Sequence, residues 1–149
     1  MRLPTTIFLA FLLSAYAFAI DKYRISVARM FDRTSADLSY KFFGTITKDK
    51  ENLVDISITS GLGIVVWDYD RNEGRLHADL NMGINSVYFS IGPFVTSGGM
   101  GTAAGLRTAC GYNFRSRTFV SGYWELAAGL PFSHRGVRAG IGVQAGFSF

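Results

Sequence analysis

Hydrophobic residues in this chain recur at every second position, in one segment after another, and that period belongs to strands. The clearest run carries Val54, Ile56, Ile58, Leu62, Ile64 and Val66 on one face and Asp55, Ser57, Thr59, Gly61 and Gly63 on the other. The next repeats it, with Leu76, Ala78, Leu80, Met82 and Ile84 against Arg75, His77, Asp79, Asn81 and Gly83. Successive side chains of a strand point to opposite faces, so each run folds as a two-faced strand. The polar stretch Asp68–Gly74 between them reads as a hairpin loop.

Six more runs follow the same rule. The first has Tyr23, Ile25, Val27 and Phe31 on one face; the second has Leu38, Tyr40, Phe42 and Ile46 against Ser39, Lys41 and Thr45. After a tight Asn85-Ser86 turn come Val87, Phe89, Ile91 and Val95, interrupted by Gly92 and Pro93. The sixth sets Ala104, Leu106, Cys110, Tyr112 and Phe114 against Arg107, Ala109, Gly111 and Asn113. The seventh sets Val120, Trp124, Leu126 and Ala128 against Ser121, Tyr123, Glu125 and Ala127. The eighth sets Val137, Ala139, Ile141, Val143, Ala145 and Phe147 against Arg138, Gly140, Gly142, Gln144, Gly146 and Ser148, and ends on Phe149. A naked apolar strand at a sheet edge invites aggregation, whereas closing the eighth strand on the first removes the edge. The expectation is an all-β, eight-stranded antiparallel up-and-down barrel.

The first 19 residues have another character. Arg2 supplies a positive start, Ile7 to Ala19 is uncharged and mostly apolar, and Ala17-Phe18-Ala19 offers the small residues of a cleavage site. About 13 apolar residues fall short of the roughly 20 that a membrane helix needs. Residues 1–19 are therefore expected to be a secretory signal peptide, and 20–149 the barrel. Removing Arg2 leaves 14 of the 15 basic residues against 11 acidic ones, a net charge of +3 with no Lys/Arg run, so nucleic acid is not an expected partner. The single cysteine, Cys110, excludes an internal disulfide and reads as a small filler in an alternating run.

Alternation alone does not say which face is outside. A soluble lipocalin-like carrier would turn its apolar face inward and show water a surface rich in Lys and Glu. Here the polar face is mostly Gly, Ser, Ala, Thr and Asn with isolated charges, which suits the cramped lumen of a narrow barrel in lipid. Strands of about 9–11 residues cross a bilayer on a tilt, and an even count leaves both chain ends on the periplasmic side. Short loops at Asp32–Ser35, Asp68–Gly74, Thr96–Gly101 and Pro131–Arg135 then face outward, and turns at Thr47–Asn52, Asn85-Ser86 and Arg115–Arg117 face the periplasm. Two aromatic girdles are expected, with Tyr23, Tyr112, Phe114, Phe119, Phe147 and Phe149 at the inner rim and Phe31, Trp67, Tyr69, Phe94 and Phe132 at the outer one.

With its leader, its eight segments and its Phe147-Ser148-Phe149 ending, the chain resembles the small outer-membrane β-barrel proteins of Gram-negative bacteria. That resemblance covers the whole mature chain and implies export, chaperoned transit and insertion by the barrel-insertion machinery. Phe147 and Phe149 would be the insertion signal.

Chemistry has few places to sit. Lys41, Asp55, His77, Asp79, Arg107, Glu125, Arg138 and Gln144 form the expected polar network of the lumen, where charges must be paired or hydrated. His77-x-Asp79 is half of a Ser-His-Asp arrangement; no serine is forced beside it, although Ser57 on the partner strand is a neighbour the pairing allows, and Asp79 is expected to serve Arg107 or Lys41. Phe132-Ser133-His134 resembles the Phe-x-His-x-Ser-Asn pattern of the lipid A deacylases. Gly136 and Val137 stand where that pattern needs Ser and Asn, so the activity does not carry over. Asp68-x-Asp70-x-Asn72 resembles part of a calcium loop but has Glu73 where the loop needs Gly, and neither a metal nor a cofactor is expected. Arg29, Arg33, Arg71 and Arg135 are placed at the outer rim, where they would contact lipopolysaccharide phosphates. The leading expectation is a non-enzymatic envelope barrel with a filled lumen. A narrow solute channel, a lipid A-modifying enzyme and a soluble carrier stand as alternatives.

Overall fold

The computed structural model describes residues 22–49, 51–69, 71–99, 101–114, 117–130 and 136–149. Residues 1–19, with their expected cleavage site, lie outside these, as do Arg135 and the Phe132-Ser133-His134 motif. Eight strands form one closed antiparallel barrel: β1 Tyr23–Met30, β2 Arg33–Asp49, β3 Asn52–Trp67, β4 Arg71–Ile84, β5 Val87–Gly98, β6 Gly101–Phe114, β7 Thr118–Gly129 and β8 Val137–Ser148. Each strand pairs with its neighbour in sequence, and β8 closes on β1 from Arg24↔Ser148 to Met30↔Gly142. Tyr23 and Phe149 complete that seam by exchanging two backbone hydrogen bonds of 2.9 Å. No edge strand remains. Both ends of the barrel wall fall at one mouth, called the terminal end below; the opposite mouth is the loop end.

The alternation sorts the faces as the sequence implies. Ile25, Leu62, Leu76, Leu126 and Ile141 are exposed on the outer wall, while Ser35, Arg75, Thr96 and Glu125 are buried inside. An eight-stranded barrel leaves an interior just wide enough for side chains, and here those side chains are polar.

Local chemistry shapes the strands. Asn85 takes a left-handed conformation (φ 56°) in the β4–β5 turn, and its Oδ1 accepts the Leu53 N–H at 2.9 Å. Asn tolerates that region better than most residues. Gly92 and Pro93 interrupt the ladder without shifting it: pairing stops at His77↔Phe94 and resumes in the same register at Leu80↔Ile91. A bulge in β2 between Lys41 and Phe43 does shift its ladder. Phe43 and Thr45 therefore join Ile58 and Ile56 on the outer face, and Ile46 pairs with Asp55 on the inner one, the reverse of the plain alternation.

The strands also run further than polarity suggests. β2 begins at Arg33, β4 at Arg71, and β5 and β6 continue to Gly98 and from Gly101. Residues 33–35, 71–74 and 96–98 are strand, not loop. The girdles are thinner for the same reason. Phe31 and Tyr69 are exposed at the loop end, whereas Trp67 and Phe94 are buried inside, as is Phe119 near the terminal end.

Candidate functional site

The interior of the loop half is an ion-pair network. Glu125 of β7 lies at its centre. Arg33 donates to Glu125 Oε1 from Nε and Nη2 at 3.0 and 2.7 Å; Arg75 Nη2 and the Tyr123 hydroxyl both donate to Oε2 at 2.8 Å. Next along the axis, Arg107 grips Asp79 with Nε at 2.8 Å and with Nη2, and reaches Asp37 Oδ2 with Nη1 at 3.1 Å. Arg138 donates to Glu73 Oε2 at 3.3 Å and to Thr96 Oγ1 at 2.8 Å. The guanidiniums of Arg33 and Arg138 flank Trp67 at 4.6 and 5.0 Å, and that of Arg75 lies 5.0 Å from the Phe94 ring. Four arginines thus meet four buried carboxylates, Asp37, Glu73, Asp79 and Glu125, and Arg33 also holds the part-exposed Asp32 at 2.7 Å. Fork-shaped guanidiniums and carboxylates match bidentately, and pairing is what makes burial of either tolerable.

Glycine makes the room. A Cβ on Gly140 would collide with Arg33 Nη2, one on Gly63 with Asp37 Oδ1, and one on Gly92 with the Ala78 carbonyl and then Asp79 Oδ1. Large inward side chains face glycine on the neighbouring strand at Gly63 and Gly92 and two strands away at Gly140, so the small residues of the polar face and the ion pairs are one design.

Of the residues picked from sequence, Glu125, Asp79, Arg107, His77 and Arg138 meet in this network, and Asp79 serves Arg107 as expected. Gln144 lies nearer the terminal end, donating to Ser26 Oγ at 3.0 Å. Lys41 and Asp55 stand apart, lining the terminal mouth. Sequence reading missed Arg75, Asp37 and Glu73, and misplaced Arg33. Arg33 is not a rim residue: it is 1% exposed and paired to Glu125, because β2 already runs at that position and parity turns Arg33 inward.

His77 Nε2 lies 3.4 Å from Ser39 Oγ, and Nδ1 lies 2.9 Å from Asp79 Oδ2. The serine is thus Ser39 rather than Ser57. The outline is that of a nucleophile triad, but a guanidinium occupies it. Arg107 Nη2 stands 2.6 Å from the same Nδ1, and a guanidinium can only donate. The Asp79 carboxylate on that nitrogen can only accept, so the imidazole edge and Asp79 are both engaged by the Arg107 ion pair. The adjoining cavity, lined by Ser39, Asp79 and Arg107, is about 20 Å³. That holds a water and not an acyl chain.

The terminal half is built differently. Arg24 of β1 stacks its guanidinium 3.5 Å over the Phe119 ring and 5.0 Å from that of Tyr88, with a long 3.4 Å contact to Asn81 Oδ1. It has no carboxylate partner among the described residues. Here the lumen opens into a vestibule of about 100 Å³ lined by Lys22, Arg24, Lys41 and Asp55 among others.

Outside, Arg29 holds Asp68 of the β3–β4 turn through two 2.8 Å hydrogen bonds, which keep the Asp68 carboxyl below the usual range. Arg71 is exposed at the loop end. Phe149 stacks between Tyr23 and Phe147 at centroid distances of 5.9 and 6.1 Å. The calcium-loop spacing is not assembled: Asp79 is interior and Asp68 is paired. No cluster of three metal-ligating side chains occurs among the described residues. No family model matches the chain, and neither a curated protein nor a solved structure shows significant similarity to it.

Proposed function

We propose that this is a small outer-membrane barrel, sealed along its axis by its own side chains, with a structural role in the envelope and no catalytic one. The observation that carries this reading is the polarity of the wall, with a buried ion-pair network inside and an apolar surface outside. A lipocalin-like carrier needs the reverse. On β3 the outward apolar run from Val54 to Val66 climbs about 30 Å, at roughly 3.4 Å per residue and a tilt near 40°. That matches a hydrocarbon core about 30 Å thick.

Partners follow from this reading. Lipid covers the wall, the barrel-insertion machinery reads Phe147 and Phe149, and lipopolysaccharide phosphates meet Arg71 and Arg29 at the loop end. Arg33 drops out of that set.

Gel mobility of the extracted protein, unheated against boiled, tests the reading. A heat-dependent shift from a salt-washed membrane fraction supports it, and a soluble protein with no shift overturns it. Planar-bilayer recordings should then be silent; steady openings would replace the structural role with a conduit. Lipid A mass spectra should be the same with and without the protein.

A further inference from the structure

We propose that the terminal-end vestibule binds a small oxyanion, with Arg24 as its main contact. Three features of the site converge. The first is an unmatched charge. The buried arginines of the loop half, Arg33, Arg75, Arg107 and Arg138, each have a carboxylate, but Arg24 and Lys41 have none among the described residues, and Asp55 is the single carboxylate lining the cavity. With Lys22 also at the mouth, the lining carries two more positive than negative charges.

The second feature is a donor without an acceptor. Arg24 Nε is buried and has no protein partner, although a buried N–H nearly always finds one. Its guanidinium is clamped over Phe119 and Tyr88, so the fork is rigid before any ligand arrives. Charge-assisted hydrogen bonds from such a fork suit an oxyanion.

The third feature is space shaped for a cation. Lys41 follows the inward parity of β2 just before the bulge, and its Cδ lies 3.0 Å from where a Gly44 Cβ would stand. The glycine lets the Lys41 stem fold along the wall toward the mouth. The vestibule's volume of about 100 Å³ admits several waters or one phosphate-sized ion. The buried Arg107–Asp79 pair lies beyond Arg24, so the site is a blind pocket and not a passage. This inference does not depend on the membrane reading.

The test is a titration of inorganic phosphate into the purified folded protein. Ionic strength is held constant with sodium chloride, and the Arg24 Nε–Hε NMR resonance is followed. We expect a saturable shift. Arg24→Gln should weaken binding about tenfold, read on the Asn81 side-chain amide, and Lys41→Gln about threefold. Asp55→Asn, which removes the opposing charge, should tighten it about threefold. Arg71→Gln, at the far mouth, should change nothing. Absence of saturation overturns the site, as does equal loss in Arg71→Gln, which would make the effect one of net charge. Weaker binding in Asp55→Asn would mean a ligand that uses the carboxylate, and overturns an oxyanion. If Arg24→Gln does not fold, the opposite shifts expected of Lys41→Gln and Asp55→Asn decide the matter alone.

Discussion

The two halves of the lumen obey one alternation and reach opposite ends. In the loop half, Glu125 satisfies Arg33 and Arg75, Asp79 satisfies Arg107, and inward glycines close the wall around them. In the terminal half, Arg24 rests on aromatic rings, Lys41 lies along the wall, and a cavity remains. Parity says which side chains enter a barrel. Matching of charge and volume across strands says whether they fill it.

The sharpest way to break this contrast is to remove a charge from each half. Glu125→Gln leaves two buried guanidiniums without their shared carboxylate. It should cost about 3–5 kcal/mol, seen as a lowered urea midpoint in a fixed detergent. Lys41→Gln at the solvated mouth should stay within about 0.5 kcal/mol of the parent. Equal effects would mean that the loop-half pairs are hydrated and that the division is false.

Volume comes next. Gly140→Val drives a branched side chain into Arg33 and should cost about 1–3 kcal/mol. Gly74→Ala is the control, since its nearest neighbour would be 3.9 Å away, and it should cost less than about 0.5 kcal/mol. Repeating Gly140→Val in an Arg33→Met background should recover part of the loss; strict additivity would show that the two positions do not share space.

These same residues show how far the sequence could be read. The barrel, its closure and the faces of β3, β4, β6, β7 and β8 follow from periodicity, because an apolar wall imposes period two wherever it exists. The ends of strands do not follow. In a barrel with a polar interior, an inward charge near a strand end looks like a loop, and Arg33 and Glu73 are the examples. The useful signal was glycine. Gly63 stands directly across from Asp37 and Gly140 across from Glu125, whose partner Arg33 fills the gap, and a large side chain needs such a gap. The β2 bulge left no signal, since Phe42 and Phe43 are both apolar and either can face out.

A smaller effect tests the terminal-end turns. Asn85→Val forces a branched residue into a left-handed conformation and should cost about 1–2 kcal/mol. Asn85→Gly keeps that conformation open and loses the bond from Leu53 N–H and the exposed one to Asn52 Oδ1, about 1 kcal/mol or less. A valine variant as stable as the glycine one would mean that the turn has rearranged.

The smallest effect lies outside the barrel and sharpens the comparison by contrast with the buried pairs. Arg29 and Asp68 form a bidentate pair in the open, tying β1 to the β3–β4 turn. Hydrogen bonding from Arg29 lowers the Asp68 carboxyl pKa in the folded state, so folding favours its charged form. That contribution is fully present above the unfolded aspartate value, about 3.9, and is lost as pH falls through the lower folded value. The urea midpoints of the parent and Asp68→Asn should therefore differ slightly at neutral pH and converge in acid. The difference should shrink as salt is raised, because both groups are exposed and screened. The Glu125 deficit should survive the same salt, since its partners are out of reach of the ions. A salt-insensitive gap at Asp68 would mean that the loop end is covered, with the Arg29 pair buried under something the isolated barrel does not supply.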